Sequence, residues 1–279
     1  MTIKIAISKI LLLLIFITSS FFIISCSDDS DPAAPPVNVI PEPNMSSYLA
    51  INSGYVEGAQ AFLSLYADDS LRTGYNKLYF VLHDSLTGLV MSDAHITINP
   101  LNHGHAAPAE NPDEDAPNGI FTGAIVYTQS FTDDPLHWHL TFTVHNHQAT
   151  GEPEGEIEFE TPVILANPEG FKSIIMPDSS ALYLSYIAPE IPANGMNDFE
   201  FLINKNEPEL YPPDGTYSVI VTPEFLSNGH TTTNNVNPAG QTDGHYTGKI
   251  NLDQPGAWRI KLNLSKNGNS YDTYFDVSY

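Results

Sequence analysis

The sequence predicts an all-β protein: two tandem immunoglobulin-like antiparallel β-sandwich domains behind an N-terminal export signal and a flexible tether. Three observations carry that prediction. Short runs rich in Val, Ile, Tyr, Phe and Thr, such as 78–82, 120–127, 218–222 and 258–264, are separated by clusters of Gly, Pro, Asn and Asp, the punctuation of strands and turns. No comparable helical run follows the first 25 residues, and about seven short strands in about 100 residues suit an immunoglobulin-like sandwich. The chain also repeats itself in order. Residues 61–66 are answered by 181–186, 74–80 by 195–201, 96–100 by 219–223, 102–105 by 227–230, 119–123 by 244–248, and Trp138 by Trp258, at offsets of 120 to 125. An interval that long marks a duplicated domain, because solenoid periods are much shorter.

Taken from the N-terminus, Lys4 and Lys9 precede the apolar run 10–24, which is short for a membrane span and has the layout of a signal peptide. The run ends Ile23-Ile24-Ser25-Cys26, which resembles the lipobox of bacterial lipoproteins. That resemblance implies removal of 1–25 and lipidation of Cys26. Cys26 is the only cysteine, so no intrachain disulfide competes for it, and several acyl chains at about 0.8 kcal/mol per buried CH₂ would hold the protein on a membrane. Ser27-Asp28-Asp29-Ser30-Asp31 resembles the export signal that sends lipoproteins of Bacteroidetes-type bacteria to the outer face of the outer membrane; its plainer reading is a solvated acidic spacer. With Pro32, Pro35, Pro36, Pro41 and Pro43 it makes 26–45 an acidic, Pro-rich, semi-rigid tether. The first sandwich is expected over 46–165, a linker over 166–178 where Pro168, Gly170 and Pro177 interrupt the pattern, and the second sandwich over 179–279.

The formal charge of −23 becomes −25 once Lys4 and Lys9 leave with the signal, 33 acidic against 8 basic residues. A phosphate backbone would be repelled, so nucleic acid is excluded as a partner. The expected contacts are the membrane, through the lipid anchor, and an envelope protein whose identity the sequence does not carry. No G-x-S-x-G or H-E-x-x-H motif occurs and no cysteine is left free for nucleophilic work, so the expectation is a protein that is not an enzyme.

One strand is legible residue by residue. Trp138, Leu140, Phe142 and Val144 alternate with His137, His139, Thr141, Thr143 and His145, continuing to His147, and a period of two sends the first set into the core. The second copy keeps the core rhythm in Trp258, Ile260, Leu262 and Leu264 but carries Arg259, Lys261, Asn263 and Ser265 on the other face. The tryptophans are therefore expected to be structural in both copies, and the histidine face belongs to the first.

The segments 193–201, 222–230, 234–238, 243–248 and 255–258 (ANGMNDFEF, TPEFLSNGH, NNVNP, DGHYTG and PGAW) resemble the FixH/YtkA-like family of bacterial envelope proteins. The likeness spans the second copy and is looser in the first, through 119–123 and Trp138. It implies a β-sandwich associated with envelope metal handling and oxidase maturation, with copper the usual metal. Where that family often has methionines around its Gly-His turn, this chain has Phe225, Leu226 and Asn228, and thioether donors are what would favour Cu(I).

Ten histidines in an acidic chain nonetheless point to copper or zinc. The pairs His103/His105, His137/His139 and His145/His147 have His-x-His spacing, which on a strand puts two imidazoles on one face, in reach of one Zn(II) or Cu(II) ion. The leading candidate site joins His103 and His105 in a loop to His137 and His139 on the strand, with His230 and His245 as a second candidate. The plainer reading of each is a polar strand face or a loop histidine bonded to nearby backbone. Asp113-Glu114-Asp115 lacks EF-hand spacing and is expected to be a solvated loop. Gly119, Gly123, Gly244 and Gly248 are expected to serve turns and close packing. The function expected is thus non-enzymatic transition-metal binding or handling by an envelope lipoprotein, with an adhesive or scaffold module, or a glycan-binding one, as the alternatives.

Overall fold

The computed structural model describes residues 39–130, 137–177, 179–207 and 210–279; the expected signal peptide, Cys26 and most of the tether lie outside them. The first half forms β1 (Leu49–Val56), β2 (Ala61–Ala67), β3 (Gly74–Asp84), β4 (Ala94–Asn102), β5 (His105–Ala106), β6 (Ala109–Glu110), β7 (Phe121–Tyr127), β8 (Trp138–Asn146) and β9 (Glu154–Thr161). The second half forms β10 (Phe171–Ile175), β11 (Ala181–Ala188), β12 (Gly195–Asn206), β13 (Ser218–Phe225), β14 (His230–Thr231), β15 (Val236–Gly240), β16 (His245–Leu252), β17 (Ala257–Lys266) and β18 (Asn269–Ser278). Sheets of order β1-β2-β3-β7-β6 and β5-β4-β8-β9 enclose one core; sheets β10-β11-β12-β16-β15 and β14-β13-β17-β18 enclose the other. The ladders within all four sheets are antiparallel. The fold is two immunoglobulin-like sandwiches of identical strand order, with nine strands each among the described residues rather than about seven, because short edge strands such as β5 and β6 are too brief to show a period in sequence.

The residues that match between the copies are those that do the same structural work twice. Trp138 and Trp258 are buried, each with its indole N–H donating to a backbone carbonyl, of Gln129 at 3.1 Å and of Gln254 at 2.9 Å. Asn76 and Asn197 each close the bend that opens a long strand. Asn76 donates to the carbonyls of Arg72 and Gly74, and Asn197 to those of Ala193 and Gly195, next to Gly74 and Gly195 at φ 97 and 96, values open mainly to glycine. Asn111 and Asn237, each before a proline, accept the N–H of Ile98 and Val221 respectively and so tie one sheet to the other. Gly123 and Gly248 admit the neighbouring edge strand, since a Cβ at either would stand within 2.6 Å of a backbone oxygen.

The expected linker is shorter than the sequence implied. Its residues 171–175 are β10, paired with β11 along its length, because Pro168, Gly170 and Pro177 flank a five-residue strand instead of filling a loop. Just upstream, Ile164 bridges Arg72, the N–H of Ile164 donates to Leu71 and that of Thr73 to Ile164, and Ala166 N–H donates to Thr73 Oγ1. Only about 167–170 is left to pass between the sandwiches, and residues 39–279 make one compact unit.

Candidate functional site

The four histidines of the leading sequence-derived site stand at one end of the β5-β4-β8-β9 sheet. Leu101 faces His139 and Asn102 faces His105, while Asn102 Nδ2 donates to the His137 carbonyl at 2.9 Å. His103 occupies the tight β4–β5 turn at φ 46. His139 turns toward β9, with Nδ1 3.1 Å from Glu158 and 4.0 Å from Glu160. Among the described residues no three His, Cys, Asp or Glu side chains converge on a common point in this arrangement.

His230 and His245 are not brought together at all. His230 pairs with Asp253, just past the end of β16, at 2.8 Å, whereas His245 is the first residue of β16. Eight residues of strand at about 3.3 Å each put roughly 25 Å between them. The second candidate pair is therefore not a site: His230, on β14, lies against the end of β16 opposite to His245.

His245 instead joins the two sandwiches. Gly244, at φ 83, ends the preceding turn, and a Cβ there would lie 2.7 Å from the Ile203 carbonyl oxygen, so glycine delivers the histidine to β16. His245 Nδ1 is 2.7 Å from Glu200 Oε1 on β12, and Nε2 is 2.8 Å from Glu110 Oε1 on β6 of the other sandwich. The other Glu110 oxygen accepts the Tyr75 hydroxyl at 2.7 Å, and the Tyr75 ring meets the imidazole edge-on at 6.2 Å. The Glu110 hydrogen bond, against the cost of burial and with help from Glu200, raises the His245 pKa to about 9. The ring is an imidazolium at neutral pH, donating from both nitrogens to two carboxylates, one per sandwich. Burial, reinforced by the Glu110 charge, holds the Tyr75 phenol above its usual range. Glu110, Glu200 and Tyr75 had no motif in sequence. The available signal was that His245 stands where the first copy has the apolar Ile120.

A second tie lies along the same seam. Tyr211 donates to the Ala106 carbonyl at 2.7 Å and stacks on Tyr183, ring centres 5.8 Å apart. Beside the His245 clasp opens a cleft of about 800 Å³ whose lining includes Asp68, Arg72, Lys77, Tyr186 and Glu190. Its charged groups are of both signs, and the imidazole at its edge has both nitrogens occupied by carboxylates.

No protein-family model matches the chain, and no curated protein sequence matches it. Among solved structures it is similar to the Escherichia coli adhesin FdeC (13% identity, 81% of this chain, 66% of that chain, TM-score 0.25). It is also similar to a DUF4785 family protein from Legionella pneumophila (12%, 80% of this chain, 58% of that one, TM-score 0.29). Domains 5–6 of the S-layer protein SbsC give 12% identity over 81% of this chain and 97% of that one, TM-score 0.26. The chain spans less than two thirds of the length of the first two. Similarity at these scores bears on neither activity nor partner.

Proposed function

We propose that this chain is a non-catalytic, lipid-tethered surface module of the adhesive or scaffold class, in which two sandwiches act as one stiff arm that presents its faces to an external partner. The observation that carries this reading is the seam. A charged histidine held by a carboxylate from each sandwich, a tyrosine bonded across to a backbone carbonyl, and a crossing of only a few residues resist the hinge motion that is the default for tandem domains. The lipobox-like Cys26 and the acidic, Pro-rich tether support display at a membrane surface. Metal delivery through the family-like Gly-His turn has less support, because His230 and His245 point to different ends of β16. The reading is tested with fluorescently labelled residues 27–279 added to whole cells and to extracellular polymer. It requires saturable binding that excess unlabelled protein displaces and that chelators leave intact. Binding no greater than that of a control protein of equal size and charge would overturn it.

A further inference from the structure

We propose a divalent transition-metal site, of Zn(II) type, at the far end of the histidine strand from the set the sequence favoured. It consists of His95, His145 and His147, with Asp93 as orienting group. β4 and β8 pair Ala94 with Asn146 and His95 with His145. Ala94 and Asn146 are buried and their neighbours on either side turn outward, so His95 and His145 face each other on the outer surface. One step beyond the ladder Asp93 lies beside His147, its Oδ1 2.7 Å from His147 Nδ1. The rings of His145 and His147 meet edge-on with centres 4.8 Å apart.

Facing residues on antiparallel strands are about 5 Å apart and next-but-one residues about 7 Å. Three imidazoles on such a patch form a three-histidine donor set, the kind that leaves a fourth position on zinc open. The Asp93 bond orients the ring as such a site requires: it occupies His147 Nδ1 and leaves Nε2 as the ligand atom. Glu114 Oε1 lies 3.5 Å from His95 Nδ1 and Glu152 Oε2 3.9 Å from His145 Nε2, while Asp115 bridges Asp93 through the backbone. Arg72 and Lys77, the basic residues between 46 and 165, line the inter-sandwich cleft, so among the described residues no Lys or Arg of this sandwich stands among these carboxylates. The three histidine side chains are 47%, 34% and 22% exposed. As they stand they do not converge on one point, so the proposed site requires the more exposed His95 and His145 side chains to rotate toward the His147 ring, which Asp93 holds in place.

The duplication supplies a control. The facing pair His95 and His145 is answered by Ser218 and Ser265, which face each other at the same rung of the second sandwich, so the fold has no need of imidazoles there. The site is independent of the adhesive reading. Its test is calorimetric titration of Zn(II) into residues 27–279, which include both complete cores, with Co(II) absorption reporting the coordination. One equivalent is expected, with a Co(II) spectrum of tetrahedral imidazole type, and His95→Ser/His145→Ser should abolish it. Asp93→Asn should keep the stoichiometry and lower affinity about 10- to 100-fold. His137→Ala/His139→Ala should leave both unchanged. In the wild type the imidazole resonances of His95, His145 and His147 should shift together on adding Zn(II), which reads the site without a variant. No binding by the wild type, an equivalent that survives in the serine pair, or one lost with His137 and His139 would each overturn the assignment.

Discussion

At the residue scale, two kinds of side chain hold this protein together. Trp138 and Trp258 are the large, dry kind: each is wholly buried and spends its one polar atom on a backbone carbonyl. Replacing either by alanine should cost roughly 3 to 5 kcal/mol through lost burial and the cavity left behind, measured by urea unfolding; a cost below 1 kcal/mol at either position would contradict its core placement. His245 is the charged kind. Its pKa in the folded protein, about 9, lies above the ordinary 6.5, so the folded state holds the proton more tightly than the unfolded chain. The resulting stabilisation is full below pH 6.5 and fades as pH rises through 9. Melting temperature should fall over that window in the wild type and lose most of that dependence in His245→Gln. An unchanged profile in the variant would show that the clasp contributes nothing.

At the scale of elements, turns decide what the strands present. Gly244 and Gly268 have nearly the same left-handed backbone, φ 83 and 81, but different surroundings. A Cβ at Gly244 meets the Ile203 carbonyl oxygen and Pro213 at 2.7 Å, whereas at Gly268 nothing lies within 4 Å. Gly268→Ala should therefore cost only the backbone term, about 1 kcal/mol, and Gly244→Ala that term plus a clash, about 2 to 4 kcal/mol. Equal losses in thermal unfolding would refute the distinction. The alternation of 138–144 was readable because a strand with one buried face must repeat every second residue. β10 was missed because an edge strand only part-buried along its length carries little of that alternation, and β5 and β14 because two residues have no period.

At the scale of the whole molecule, the seam makes two similar domains into one unit, and the proposed lipid anchor at Cys26 is what would hold that unit on a membrane. Cys26→Ser should release the protein from the membrane fraction or leave an unprocessed precursor on a gel. Fractionation and migration identical to the wild type would remove the lipoprotein reading and with it the surface placement.

The sequence by itself determined the all-β class, the duplication with its ordered series of matching segments, and the core role of both tryptophans. These follow from local period and from residues that must recur wherever the same turn or packing contact recurs. Tertiary structure decided the rest, because the remaining questions concern which distant residues meet. Glu110 and His245 are 135 positions apart and meet only because the sandwiches pack. His230 and His245 share a motif, but His230, on β14, meets the far end of the strand that His245 begins. Asp93 and His95 come beside His145 and His147 through the register of β4 on β8, which pattern alone does not specify, since many pairings of two alternating strands bury the same faces.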